Sequence, residues 1–285
     1  MNGWIIYKQD DAEKNKSYID WFIKEAALQN IQLKLIVRES LAISATSHHI
    51  LLDGEKSPLP DFVVIRTMEA SLTIAFEQLN IPTFNNSSVS RLANDKANAY
   101  QYVKELGIDT VQTYFYPKDL IPYEIPLPYP FVLKTREGKG GSEVFFVRNK
   151  DDYDKYIDLA AKKAYLIQDA NVSLGKDLRV FIVNNKVLAA VLRENEKDFR
   201  ANYTLGGHAS LYELSSEEKS IIDQIIGHYQ FDFVGIDFFI DYKGNLLFNE
   251  IEDVVGSRTL SLLTNLNIVR HYVQHIKETI NSKKQ

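Results

Sequence analysis

The sequence predicts an α/β N-terminal domain followed by two α+β lobes, because strands and helices alternate over the first ninety residues and hairpins dominate afterwards. The chain has 285 residues, and at about 150 residues per domain this gives about two domains while also allowing three small lobes. A glycine-rich loop at 138–141 that joins two strands, and two polar-turned hairpins after residue 177, complete the pattern. The expected divisions are 1–92, 93–168 and 169–285.

Residues 4–7 form a short apolar run that reads as a buried strand, and 17–28 places Ile19, Trp21, Phe22, Ile23, Ala26 and Ala27 at helical spacing. Strands follow at 31–37 and 61–66, then a helix at 70–79. This order predicts a mostly parallel sheet covered by helices. Turn formers at 81–88 break it and place the first boundary just beyond. Helical spacing returns over 93–106 and stops at Gly107, which suits a left-handed helix cap. Residues 117–130 hold five of the eight prolines and so read as a loop leading into a strand at 131–134. A strand at 144–147, a helix at 151–163 and a strand at 165–168 finish the middle lobe. In the last lobe, 178–183 and 187–192 form a hairpin over Asn184-Asn185-Lys186. A helix over 215–229 opens at Ser215 or Ser216, a second hairpin pairs 233–240 with 246–251, and a helix over 266–279 closes the chain.

Hydrophobic residues at 45% and charged residues at 25% match ordinary globular proteins and exclude fibrous or disordered classes. A net charge of −5 without a long basic run disfavours general nucleic-acid binding, which needs clustered positive charge. The absence of cysteine removes disulfides, thiolate zinc, iron–sulfur clusters and cysteine nucleophiles, so any metal must sit on oxygen or imidazole. No apolar run reaches the roughly 18 residues needed to span a bilayer, and Met1 to Lys8 lacks the features of a secretory signal. A cytoplasmic protein without membrane or nucleic-acid partners is expected.

Three groups of residues carry chemistry. Asp237 lies in one strand of the second hairpin, and Glu250 and Glu252 lie on one face of the other. Pairing through the 241–245 turn brings Asp237 near the level of Glu250, so three acids converge as a Mg²⁺ site would require; solvated acids on a polar sheet face are the competing reading. Lys134 ends an apolar strand before a loop containing Gly138, Gly140, Gly141 and Ser142, whose unhindered amides suit phosphate oxygens, although such a loop alone is more often a turn. Lys176, Arg179, Arg193 and Arg200 cluster with Asp177 and Asn202, which suits anion recognition or structural ion pairing. Arg66 at the end of the third strand either faces the cleft or caps the strand. The six histidines read as structural or solvated, with only His208 near the suspected site.

In order along the chain, Asn94-Asp95-Lys96, the 131–134 strand with its glycine loop, Leu166-Ile167-Gln168-Asp169, Gly175-Lys176-Asp177-Leu178-Arg179, Phe199-Arg200-Ala201-Asn202, and Asp237 with Asn249-Glu250 resemble the ATP-grasp superfamily. Within it they are similar to the group of the ribosomal S6 glutamate ligase, over about 61–252. The resemblance implies ATP held in a nucleotide cleft between the two α+β lobes. Lys96 and Lys134 would contact phosphates and the adenine side, Gln168 and Asp169 the adenine and hinge, and Lys176 or Asp177 the ribose end. The 137–142 loop would close over the phosphates, and Asp237, Glu250 and Glu252 would hold Mg²⁺ or Mn²⁺. Arg193 and Arg200 would stabilise the transferring phosphoryl group, with Arg66, Arg179, Asn202 and Arg258 on the substrate side.

The implied reaction activates a carboxylate as an acyl phosphate and couples it to an amine, releasing ADP and phosphate. Its substrates would be small-molecule or peptide acids and amines, and a homo-oligomer is compatible. The family usually carries asparagine two residues after the metal glutamate, followed by Ser-Pro-Gly; this chain has Glu252 and then Asp253-Val254-Val255-Gly256-Ser257-Arg258. Arg258 would answer that added charge or bind a substrate carboxylate. An ATP-binding protein altered in catalysis and acting through partners, and a phosphotransferase of the same fold, are the alternatives.

Overall fold

The computed structural model describes residues 1–283 apart from 45, 48, 138–142 and 202–206. A parallel four-stranded sheet organises the N-terminal region, in the spatial order Gln32–Val37, Asn2–Tyr7, Phe62–Ile65 and Thr83–Phe84. Its central strands are buried on both faces, so their sequences are continuously apolar and not alternating. Trp4, Ile6, Val63 and Ile65 pack under the Ala70–Gln78 helix, while Ile5, Phe62 and Val64 share the opposite core with the Lys16–Leu28 and Ile268–Ser282 helices. A small antiparallel sheet of Leu41–Ile43, Ile50–Leu52 and Glu55–Ser57 was not expected; strands of three residues are too short for a periodic signal.

The middle lobe is an antiparallel sheet ordered Val144–Val147, Phe131–Thr135, Tyr165–Asp169 and Thr113–Tyr116, packed on the Lys150–Ala160 helix through Phe131, Leu133, Tyr153 and Ile157. The large lobe is a five-stranded antiparallel sheet ordered His208–Tyr212, Lys186–Glu194, Lys176–Val183, Phe233–Ile240 and Leu246–Glu252. Both expected hairpins are present. Asn184 and Asn185 adopt the left-handed conformation that the first turn requires, with φ of 51° each. Ser215 caps the Ser216–Ile226 helix in a full capping box with Glu218.

One helix was expected over 93–106, opening the small lobe. It forms as Lys96–Glu105, capped by Asp95 accepting from the Ala97 N–H at 3.0 Å, and a further helix, Ser87–Ala93, precedes it just beyond the turn formers at 81–88. Both pack on the large lobe: Val89, Leu92, Ala99, Tyr100 and Val103 share one core with Val180, Val234 and Phe248. The large sheet has an apolar face that needs cover, whereas the small sheet already rests on Lys150–Ala160. Among the described residues no helix is long and apolar enough to cross a membrane.

Candidate functional site

The small and large sheets face each other across a cleft of roughly 910 Å³, including the solvent at its mouth. Its floor is the second hairpin of the large lobe. Asp237 pairs with Glu250, but the next paired residues are Phe238 and Phe248, so Asn249 is the extra residue of a β-bulge. The bulge defeats strict alternation, and Asn249, Glu250 and Glu252 all line the cleft with Asp237. Gly175 lines it too, at a φ of 71°; a Cβ there would meet the Asn195 carbonyl oxygen at 2.2 Å, so only glycine lets the chain turn into the Lys176–Val183 strand.

The large-lobe wall is an ionic lattice. Arg179 grips Asp237 with two bonds, Nε to Oδ1 at 2.7 Å and Nη2 to Oδ2 at 2.6 Å, and its Nη2 also lies 2.9 Å from Glu252. Arg193 grips Asp177 in the same way and donates a third bond, 2.8 Å long, to Asp237 Oδ2. Burial works against the charge on Asp237, but the two arginines outweigh it and hold the carboxyl well below its ordinary range. Burial likewise opposes ionisation of Glu250, which Lys96 at 3.1 Å overcomes with help from Lys134. Burial raises the Glu252 carboxyl above its ordinary range, opposed by Arg179 and reinforced by Asp237 and Glu250.

The small-lobe wall is different. Lys134 is only 6% exposed; its Nζ donates to Asn249 Oδ1 at 3.2 Å and stands 5.7 Å from the Phe239 ring centre. Burial, followed by the charge of Lys96, pushes its ammonium down to about 7 against the pull of Glu250. Gln168 is buried, donating to the Tyr100 hydroxyl at 2.6 Å and to Thr113 Oγ1 at 2.9 Å. Asp169, Val132, Val144, Phe199 and Phe239 supply further lining.

Lys96, Lys134, Gln168, Asp169, Lys176, Asp177, Arg179, Arg200, Asp237, Glu250 and Glu252 all line this one space. Lys176 pairs with Glu194 at 3.0 Å and Arg200 with Asp198 at 2.7 Å at its edge. Gly138, Gly140, Gly141, Ser142 and Asn202 lie outside the described residues. Three expectations change. Arg193 is absent from the cleft lining and takes the structural ion pairing that its sequence also allowed, bonded to Asp177 and Asp237. Arg66 is buried away from the cleft lining, donating from Nε to the Tyr7 hydroxyl at 3.2 Å and from Nη2 to the Val255 carbonyl at 2.7 Å. Arg258 neither answers Glu252, which Arg179 meets, nor lines the cleft; it donates to Asn15 Oδ1 at 3.0 Å. Asn249 was overlooked as a lining residue, since nothing in an isolated sequence marks a bulge.

The carboxylates fit a hard divalent cation. One oxygen from each of Asp237, Glu250 and Glu252 lies within 4.8 Å of the others, close enough to share one ion. Asp237 accepts three N–H bonds, which leaves one of the about four acceptor positions of a carboxylate.

Residues 93–276 match the RimK-like ATP-grasp domain. The chain is 25% identical over 276 residues to the uncharacterised protein MG011 of Mycoplasma genitalium, covering 95% of this chain and 91% of that one. It is 26% identical over 216 residues to the alpha-aminoadipate–LysW ligase LysX of Sulfurisphaera tokodaii, covering 72% and 75%. Its fold matches the solved structure of the ATP-grasp ligase PsnB complexed with a phosphomimetic variant of a minimal precursor, Mg and ADP. The TM-score is 0.66 at 12% identity, over 99% of this chain and 98% of that one.

Proposed function

The chain belongs to the RimK-like ATP-grasp family and is an ATP-dependent carbon–nitrogen ligase, and we propose that it joins the carboxylate of an amino acid or peptide to an amine through an acyl phosphate. The observation that carries this reading is the meeting of three carboxylates with Lys96 and Lys134 in one cleft between two sheets. A carboxylate at neutral pH resists attack by an amine, and bound ATP with Mg²⁺ supplies the phosphoryl group that turns its oxygen into a leaving group. Asp237, Glu250 and Glu252 would hold the cation, and Lys96 and Lys134 the phosphates. An anion beside Lys134 restores the proton that burial disfavours, so binding and protonation of that lysine reinforce each other.

Arg200 at the cleft edge would meet the phosphoryl charge as it moves. Arg193 acts through Asp237, fixing its carboxylate from behind. Lys176 and Asp169 would face the nucleoside, and Arg179 the acid substrate. The apolar lining from Val132, Val144, Phe199 and Phe239 limits water, which would otherwise hydrolyse the acyl phosphate. LysX is named as a ligase of alpha-aminoadipate and LysW, and PsnB was solved with a precursor, which favours an amino acid paired with a peptide as the first substrates to screen.

The test is a screen of paired acids and amines for ADP release, with products weighed by mass spectrometry. The reading predicts ADP together with an adduct lighter by one water than its two parts. A stable phosphorylated acid would instead indicate a phosphotransferase, and no ADP from any pair despite nucleotide binding would indicate a protein that acts through partners.

A further inference from the structure

Asp95 and Arg136 carry a role that neither the fold nor the nucleotide reading assigns. Asp95 caps the Lys96–Glu105 helix, which is embedded in the large-lobe core through Ala99, Tyr100 and Val103. Arg136 follows the Phe131–Thr135 strand, whose Phe131 and Leu133 belong to the separate small-lobe core. Their side chains meet across the gap in a two-bond fork, Arg136 Nε to Asp95 Oδ1 and Nη2 to Oδ2. The pair is partly buried, with side-chain exposures of 33% and 21%, so water screens it less than a surface pair. A fork of two parallel bonds fixes orientation as well as distance.

Each partner adjoins a lysine of the cleft. Asp95 immediately precedes Lys96, which reaches Glu250, and Arg136 stands two residues beyond Lys134, which reaches Asn249. Lys134 to Asn249 and Gln168 to Tyr100 also bridge the lobes, but each is a single bond from its donor atom, whereas the two-bond fork fixes the angle between the elements that carry the lysines as well as their distance. We propose that Asp95 and Arg136 are a positioning pair that sets the separation of the two lobes, and with it the spacing at which Lys96 and Lys134 grip one polyphosphate. The ligand half of this statement rests on the nucleotide reading; the lobe spacing does not.

Because the chain has no cysteine, single thiols can be introduced cleanly at two exposed positions. Leu159→Cys lies on the small lobe and Ser220→Cys on the large one. Nitroxide labels there report lobe separation by pulsed electron paramagnetic resonance. Asp95→Asn keeps an oxygen for the Ala97 N–H and so preserves the cap while removing the charge; Arg136→Gln removes the other partner, and Arg136→Lys restores charge without the fork.

The expected result is a distance distribution at least about twice as broad in Asp95→Asn and Arg136→Gln, with MgADP affinity about tenfold weaker by calorimetry, as coupled contacts of this kind give. The double variant should be no worse than either single one, and Arg136→Lys should recover part of both readouts. Unchanged widths in both single variants, or effects that simply add, would overturn the positioning role. If the parent chain fails to bind MgADP, the nucleotide reading falls, while the label distances still decide the lobe spacing.

Discussion

The two walls of the cleft solve opposite electrostatic problems. On the large lobe, Asp237 is met by two arginines, Asp177 by one, Glu252 by Arg179 and Glu250 by Lys96, so the charges are oriented before any ligand arrives. On the small lobe, Lys134 is buried with an amide oxygen and a ring for company, and among the described residues it has no carboxylate within ion-pair distance. One wall is complete in itself. The other carries a destabilised cation that an anionic ligand completes, which is the asymmetry expected where binding energy must come from the ligand's charge.

Breaking the self-sufficient wall has the largest expected effect. Asp237→Asn leaves Arg179 and Arg193 buried against a neutral amide, and should lower stability by about 3 kcal/mol in chemical denaturation while abolishing ligase turnover. Removing the incomplete wall's cation should do the reverse to stability. Lys134 holds its proton more weakly in the folded chain, at about 7 against 10.5; the unfolded chain therefore binds more protons between those values, and stability rises with pH across that window. Lys134→Met should accordingly unfold at higher denaturant than the parent at pH 6, and the advantage should shrink as pH climbs toward 10. A parent that is more stable than Lys134→Met at pH 6 would remove the contrast between the walls.

Glu252→Gln sharpens the comparison at smaller cost, because Arg179 keeps its fork on Asp237. The half-saturating Mg²⁺ concentration should rise by about threefold to tenfold as one negative ligand is lost, with turnover retained at high Mg²⁺. Arg258→Ala should do least, since its contact is a single exposed bond to Asn15. Its stability should stay within about 0.5 kcal/mol of the parent and its MgADP affinity should not change.

The contrast between the walls also divides what the sequence made legible. Asp237, Glu250 and Glu252 were readable because acids interrupt apolar strands and the Lys-Gly-Asn turn sets their register, observed as Asp237 opposite Glu250. Lys134 was readable for the same reason, as a charge ending an apolar run. Partner choice was legible only in part: the pairing of Arg193 with Asp177 was one of the readings that its hairpin allowed, whereas the partners of Arg66 and Arg258, Val255 and Asn15, come from segments that proximity in sequence does not reveal. The helix expected over 93–106 forms as Lys96–Glu105, whereas Ser87–Ala93 was hidden because the turn formers at 81–88 run into its first residues, where Asn86 caps it. Asn249 was hidden by a bulge that only strand pairing exposes.

The most direct test of the central claim, that this cleft binds a magnesium nucleotide through its incomplete wall, is thermal unfolding with ATP and Mg²⁺ of the parent chain and of Lys134→Met. A ligand at a hundred times its dissociation constant stabilises by about 2.7 kcal/mol, or on the order of 5 °C for a chain of this size. A Mg²⁺-dependent rise of that order is expected in the parent and none in Lys134→Met. An equal rise in both, or no rise at millimolar ATP, would contradict it.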